Sequence, residues 1–86
     1  MRPVQVFTTT TCAYCVRAKA FLRERGIPFE EIDVTGDYDA RDALVVRSRG
    51  RRTVPQIFIG ETPVGGYTDL VALERTGELS KLLAAN

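Results

Sequence analysis

The segment 4-VQVFTTTTCAYCVRAKAFLRER-25 decides the fold class, because it joins two different hydrophobic periodicities through one short motif. Residues 4–7 are rich in β-branched and aromatic side chains, which predicts a β-strand. In residues 14–25 apolar side chains recur at helical spacing, and the glycine and proline that follow are typical of a helix end. Cys12 and Cys15 therefore form a C-x-x-C motif between a predicted strand and a predicted helix.

Strands and helices continue to alternate beyond this segment. Three further strands are predicted at residues 29–34, 56–59 and 62–64. Further helices are predicted at residues 38–49, 68–75 and 78–84. The two β-α-β steps predict parallel strands with right-handed crossovers, and the last two strands should form an antiparallel hairpin. We expect an α/β protein of order β-α-β-α-β-β-α, with one domain over residues 1–86 and a four-stranded mixed sheet flanked by helices.

Composition and charge exclude several classes of protein. The chain has 86 residues, 44% of them hydrophobic, and a net charge of +1, so nothing attracts it globally to nucleic acid or membrane. No apolar run approaches the roughly 18 residues of a membrane-spanning helix. The N-terminus lacks the apolar region of a signal peptide. We expect a cytoplasmic monomer with no nucleic-acid or membrane partner.

The two cysteines carry the chemistry that this sequence can perform. With no histidine, the chain offers neither a Cys–His pair nor an imidazole metal site, and no metal site is expected. A disulfide across so short a loop would stabilise the fold little. Cys12 should lie at a helix N-terminus, where free N–H groups favour a thiolate, and Cys15 is close enough to form a disulfide with it. Redox use is favoured over two alternatives, a zinc site shared by two copies and a pair of inert buried thiols.

Three blocks of sequence resemble the signature motifs of small bacterial dithiol glutaredoxins. They are CAYC at 12–15, TVPQIFI at 53–59 and GGYTDL at 65–70, in the family's order and spacing. The resemblance implies a thioredoxin-like fold and glutathione as both reductant and ligand. It also implies reduction of protein–glutathione mixed disulfides and of protein disulfides such as that of ribonucleotide reductase, with Cys12 attacking and Cys15 resolving.

The same resemblance implies a glutathione site. In the family the peptide bond before the proline matching Pro55 is cis, which would turn the backbone of Val54 toward an extended peptide. Thr68 or Asp69 should open the next helix, whose amides can hold a carboxylate, while the Asp69 side chain takes the ammonium. Simple helix capping by these two residues is the plainer interpretation. The full set of implied ligand contacts is Tyr14, Arg41, Thr53, Val54, Pro55, Gly66, Thr68 and Asp69.

Two departures from the family pattern keep other functions open. Many members have a lysine shortly before the first cysteine, but this chain has threonines at 8–11. Stabilisation of the Cys12 thiolate must therefore depend more on the helix N-terminus. Arg17 and Lys19 are further candidates for a cation that stabilises it. Ala13 replaces the usual proline, a change that in the family can accompany a [2Fe–2S] cluster held between two protomers by the first cysteine and glutathione. A redoxin reduced by thioredoxin reductase is the other alternative. The arginine-rich run at 47–52 is either a solvated loop or an attractor of anionic glutathione.

Overall fold

A computed structural model describes residues 1–85 of the chain. In this part of the chain the elements are β1 Val4–Thr8, α1 Ala13–Glu24, β2 Glu30–Asp33, α2 Tyr38–Arg47, β3 Gln56–Ile59, β4 Thr62–Gly65, α3 Tyr67–Thr76 and α4 Glu78–Ala84. The order matches the predicted one, with the last helical region divided at Gly77. Over these residues no helix is both long and apolar enough to cross a membrane.

The four strands form one mixed sheet in the order β2-β1-β3-β4. β1 pairs in parallel with β2, where Val6 lies opposite Glu31. β3 pairs antiparallel with β1 and with β4, whose register places Ile59 opposite Thr62. The predicted four-stranded mixed sheet is therefore confirmed, and β1 and β3 are its two central strands.

The second β-α-β step does not produce a parallel strand. β3 lies antiparallel to β1, with Val6 opposite Ile57, on the side away from β2. After α2 the chain turns back beside the helix, where the Arg41 guanidinium donates a hydrogen bond to the carbonyl of Arg52 (3.3 Å). β3 consequently enters the sheet from the end at which β2 leaves it. The prediction of parallel pairing in this step is wrong, although the predicted hairpin of β3 and β4 is confirmed.

Alternation along the strands divides the core between the two faces of the sheet. One face packs against α1, α3 and α4, and its buried residues include Val6, Leu22, Ile57, Ile59 and Leu70. The other face packs against α2, and its buried residues are Phe7, Val34, Leu44 and Phe58. Because successive side chains of a strand point to opposite faces, the central strands β1 and β3 supply both halves of the core.

Two helix starts are shifted by one residue from their predicted positions. α1 begins at Ala13, so Cys12 is its N-cap. α3 begins at Tyr67 and has Gly66 as its N-cap, and the carbonyl of Gly66 accepts the first helical hydrogen bond from the N–H of Leu70 (3.1 Å). The prediction that Thr68 or Asp69 opens this helix is therefore wrong, but both residues lie in its first turn.

Candidate active site

Cys12 lies where β1 gives way to α1, and its sulfur acts as the helix cap. Its backbone is extended, with φ −132° and ψ 106°, which turns the side chain back over the first turn. The N–H of Cys15 donates to the Cys12 sulfur (3.1 Å) in the way that an N–H donates to the oxygen of a serine or aspartate cap. A hydrogen bond from an N–H and the positive end of the helix both favour a sulfur anion over a neutral thiol.

The two cysteines form a disulfide, but they differ in exposure. Their Cα atoms are 5.2 Å apart, within the range that a disulfide requires. Cys15 is only 1% exposed and lies in the core, whereas Cys12 is partly exposed. Of the two sulfurs, Cys12 is therefore the one that a second molecule can reach. Cys15 is then placed to react within the chain.

A groove opens beside the Cys12 sulfur. The carbonyl oxygen of Val54 lies 3.7 Å from the sulfur, and the peptide bond between Val54 and Pro55 is cis. The groove has a volume of about 220 Å³. It is lined by Tyr14, Arg51, Thr53, Val54, Pro55, Gly66, Tyr67, Thr68 and Asp69. Seven of the eight ligand contacts implied by the sequence therefore meet in one place next to the exposed cysteine.

The start of α3 forms the wall of this groove opposite the disulfide. The Asp69 carboxylate reaches back to accept a hydrogen bond from the N–H of Gly66 (2.9 Å), so it caps its own helix. The same carboxylate oxygen also lies 3.3 Å from the Arg51 guanidinium. The first N–H groups of a helix have no partner within the helix, and two of the residues that carry them here, Thr68 and Asp69, line the groove. The plainer capping interpretation holds for Asp69, and it leaves these amides open to an anion.

Arg41 does not line the groove. Its guanidinium donates to the carbonyl of Arg52, as described above, and so holds the returning segment against α2. Two residues that were not among the predicted ligand contacts line the groove instead. Arg51 belongs to the arginine-rich run, and Tyr67 belongs to the GGYTDL block, so both were within reach of sequence reasoning.

Tyr67 supports the aromatic side of the groove. Its ring centroid lies 6.2 Å from that of Tyr14 and 6.4 Å from that of the buried Phe21, with the second pair edge to face. Tyr14 is 52% exposed, and the Arg17 guanidinium lies 5.1 Å from its ring centroid. This stack fixes one wall of the groove, and it places Arg17 on an aromatic ring.

Lys19, the other candidate partner of the thiolate, is also engaged elsewhere. Its ammonium lies 2.9 Å from the carboxylate of Glu31, which also accepts a hydrogen bond from the buried Thr8 hydroxyl (2.8 Å). The hydrogen bond from Lys19, followed by that from Thr8, lowers the pKa of Glu31. The cluster ties α1 to β1 and β2, and the helix N-terminus remains the main source of thiolate stabilisation.

A surface depression larger than the groove beside Cys12 lies away from this chemistry. It is a groove of about 580 Å³ between α1 and α3. At its end the Arg25 guanidinium forms an ion pair with the Glu74 carboxylate, which links the two helices. Its lining residues do not include Val54, whose carbonyl contacts the Cys12 sulfur and marks the smaller groove, so its size does not make it the active site. Across residues 1–85, no group of three or more histidine, cysteine, aspartate or glutamate side chains could hold a metal ion.

A buried and a partly exposed cysteine at a helix N-terminus, beside a cis-proline loop on a mixed sheet, define a thiol–disulfide oxidoreductase with the thioredoxin-like fold. Residues 4–64 match the family model described as Glutaredoxin. The chain belongs to the glutaredoxin family.

Individual relatives agree with this assignment. The chain is 52% identical over 85 residues to a glutaredoxin of Pseudomonas aeruginosa, covering 99% of this chain and 100% of the relative. The solution structure of a glutaredoxin from Brucella melitensis superposes with a TM-score of 0.83 at 48% identity, over 96% of this chain and 89% of the other. The crystal structure of a buckwheat glutaredoxin–glutathione complex gives 0.82 at 33% identity, over 95% and 76%.

Proposed function

We propose that this protein uses glutathione to reduce protein–glutathione mixed disulfides and protein disulfides. The observation that carries the proposal is the position of the exposed Cys12 sulfur. It lies 3.7 Å from the carbonyl of Val54, at one end of a groove whose other wall is the start of α3. A small anionic peptide with a central thiol fits such a groove. The buckwheat relative described above was crystallised with glutathione, which supports the same ligand here.

Each part of the groove has a proposed contact with glutathione. The backbone of Val54 pairs with the cysteinyl unit as an added strand would, and the ring of Tyr14 lies alongside. The amides of Thr68 and Asp69 bind the α-carboxylate of the γ-glutamyl unit, and the Asp69 carboxylate binds its ammonium. Thr53, Pro55 and Gly66 shape the floor. A contact between Arg41 and the glycine carboxylate would require its side chain to leave the carbonyl of Arg52.

Reduction of a mixed disulfide needs only Cys12. The Cys12 thiolate attacks the glutathione sulfur, forms a Cys12–glutathione disulfide and releases the protein as a thiolate, which takes up a proton. A second glutathione, as its thiolate, attacks the glutathione sulfur of this intermediate. Oxidised glutathione leaves, and the Cys12 thiolate is restored under the N–H of Cys15, which stabilises it as a leaving group.

Reduction of a protein disulfide needs both cysteines. Cys12 attacks one sulfur of the substrate, and the thiolate of Cys15 then attacks Cys12, which releases the dithiol substrate and leaves the Cys12–Cys15 disulfide. Two molecules of glutathione reduce this disulfide in turn. The burial of Cys15 suits this role, because it reacts only with a partner already attached to Cys12. Ribonucleotide reductase is a candidate substrate. We place the reaction in the cytoplasm, where glutathione keeps thiols reduced, and expect a monomer to perform it.

A coupled assay tests the proposal. NADPH oxidation is followed with glutathione, glutathione reductase and a peptide–glutathione mixed disulfide, and a parallel reaction contains thioredoxin reductase instead. We expect turnover only with glutathione, and none in Cys12→Ser. Turnover with thioredoxin reductase alone would replace this proposal with that of a redoxin.

The alternative function, that of a [2Fe–2S] cluster carrier, predicts a different outcome in a reconstitution experiment. Within the described residues no group of side chains could hold a metal ion, so a [2Fe–2S] cluster would need a second copy of the chain and glutathione thiols. Anaerobic reconstitution with iron, sulfide and glutathione would then give a coloured dimer. We expect a colourless monomer, and a coloured dimer without turnover in the coupled assay would favour the cluster carrier.

A further inference from the structure

We propose that Arg51 is a built-in counter-ion of Asp69, and that it lets the start of α3 bind a carboxylate ligand that carries no neighbouring ammonium. This inference rests on the proposed function, since it concerns the same groove. It extends the class of substrate to acidic thiols that lack the α-amino group of glutathione.

The contact that carries the inference joins two separate parts of the chain. The Arg51 guanidinium lies 3.3 Å from the carboxylate oxygen of Asp69 that also accepts the N–H of Gly66. Arg51 comes from the segment between α2 and β3, and Asp69 from the first turn of α3. The guanidinium therefore places a positive charge beside Asp69, as the ammonium of a bound γ-glutamyl unit would.

The space around Gly65 shows how closely the guanidinium fits. A methyl group added at Gly65 would collide with both the Arg51 guanidinium and the Asp69 carboxylate. Both charged side chains also line the groove, so a ligand meets them as a pair. The absence of a side chain at Gly65 makes room for this arrangement.

The charge at the start of α3 decides which ligands it accepts. Without Arg51, Asp69 would place a negative charge next to the amides that attract a carboxylate, and the two anions would repel each other. Glutathione overcomes this repulsion because its own ammonium neutralises Asp69. A ligand with the carboxylate but no ammonium has no such group, and it depends on Arg51.

Other arginines in the same run do not make this contact. Arg47 lies over the ring of Phe58, 4.2 Å from its centroid, and packs on the other face of the sheet. Within the described chain the Arg49 side chain forms neither a hydrogen bond nor an ion pair, and it is exposed. Arg49→Gln is therefore a matched control for Arg51→Gln, because it removes the same charge from the same segment.

The test compares two substrates in single turnover. One is a peptide linked by a disulfide to glutathione, and the other is the same peptide linked to glutaryl-cysteinylglycine, which is glutathione without its α-amino group. Reduced enzyme is used in excess, and release of the peptide thiol is followed by chromatography. This readout avoids glutathione reductase, whose own specificity would otherwise interfere.

We expect Arg51→Gln to lower the second-order rate constant for the deaminated substrate about three- to fivefold, an effect of the size expected of an exposed ion pair. For the glutathione substrate the same substitution should lower the rate constant about twofold or less. Arg51→Lys should restore most of the loss, and Arg49→Gln should leave the ratio of the two rate constants unchanged. An equal loss with both substrates, or no loss with either, would overturn the inference. If the wild type released no peptide from the glutathione substrate, the proposed function itself would fail.

Discussion

The starts of α1 and α3 face the same groove, but they are capped in opposite ways. At α1 the cap is the reactive group, since the Cys12 sulfur accepts the N–H of Cys15. At α3 the cap position is Gly66, which has no side chain, and the Asp69 carboxylate reaches back from the third helical position. In the proposed mechanism the same electrostatics of a helix N-terminus stabilises an anion of the protein at one wall and an anion of the ligand at the other.

The start of α2 shows what an ordinary cap looks like in this chain. There the Asp37 carboxylate accepts the N–H of Ala40 (3.0 Å). A carboxylate at the cap position occupies the amides and repels other anions. At α1 the cap residue is a cysteine and at α3 it is a glycine, so neither cap position holds a carboxylate.

The largest expected effect comes from removing the sulfur at the start of α1. Cys12→Ser should reduce both mixed-disulfide and protein-disulfide reduction to the uncatalysed background, because it removes the nucleophile. Cys15→Ser should keep the first activity and lose most of the second, since only the second needs a resolving thiol. Parallel assays with a glutathionylated peptide and a disulfide-containing protein measure both. If the two variants were equally inactive on the glutathionylated peptide, the difference in role between the cysteines would be wrong.

A substitution at Gly65 tests how crowded the start of α3 is. Gly65 has a φ of 109°, a conformation that residues with a side chain rarely adopt, and a methyl group there would strike the Arg51–Asp69 pair. Gly65→Ala should lower the free energy of unfolding by about 1–3 kcal/mol in urea titrations of the oxidised protein.

Gly66→Ala is the matched control for this substitution. A methyl group at Gly66 would lie 3.7 Å from the nearest atom, the carbonyl oxygen of Pro55, at an ordinary contact distance. We expect its cost to be below about 1 kcal/mol. Equal losses at the two glycines would show that crowding at Gly65 does not shape this end of the groove.

Variants of Asp69 separate its capping role from its charge. Asp69→Ala should lower the free energy of unfolding by about 1 kcal/mol, because the N–H of Gly66 loses its acceptor. Asp69→Asn keeps an acceptor oxygen and should retain most of that stability, yet it should raise the KM for a glutathione mixed disulfide as Asp69→Ala does. Urea unfolding and steady-state kinetics of both variants provide the comparison. A normal KM in Asp69→Asn would show that the charge does not contact the ligand.

The smallest expected effect concerns the Glu31 carboxylate, whose contacts with Lys19 and Thr8 tie α1 to the sheet. The pKa of Glu31 is lowered in the folded state, mainly by the hydrogen bond from Lys19. The ionised Glu31 carboxylate therefore stabilises the fold at pH values above the ordinary glutamate pKa. This stabilisation disappears as the pH falls through the lowered pKa. Glu31→Gln should therefore cost about 0.2–1 kcal/mol at pH 7, the range for an exposed ion pair. The difference from wild type should vanish in strong acid.

Thermal unfolding at several pH values measures this contribution. Glu30→Gln is the control, since the carboxylate of Glu30 pairs only with the amide of Gln5 within residues 1–85. A loss from Glu31→Gln that does not depend on pH would contradict the assignment of this contribution to the charge of Glu31.

Sequence patterns predicted the local elements of this fold better than their arrangement. The β-branched and aromatic residues of 56–59 identified β3, and the position of the C-x-x-C motif identified the start of α1 to within one residue. The direction of β3 depends on how the segment after α2 turns back, which is stabilised by the contact of Arg41 with the carbonyl of Arg52. Periodicity indicates which face of a sheet each side chain occupies and not the direction in which a strand pairs, so the pairing direction was not predictable from it.

The candidate site shows the same limit. The three sequence blocks identified seven residues that line the groove, because each block is continuous in the chain. The ion pair between Arg51 and Asp69 joins residues 18 positions apart, and in the sequence Arg51 looks like the other arginines of a solvated run. Arg41 was predicted as a ligand contact from its place near the start of a helix, but its side chain donates a hydrogen bond to the carbonyl of Arg52.

The most direct test of the account is to trap the intermediate at the start of α1. Cys15→Ser is incubated with oxidised glutathione, and the protein is analysed by intact-mass and peptide mass spectrometry before and after addition of reduced glutathione. The account predicts one glutathione attached to Cys12, released when reduced glutathione is added. No adduct on Cys12, or an adduct that reduced glutathione does not remove, would contradict it.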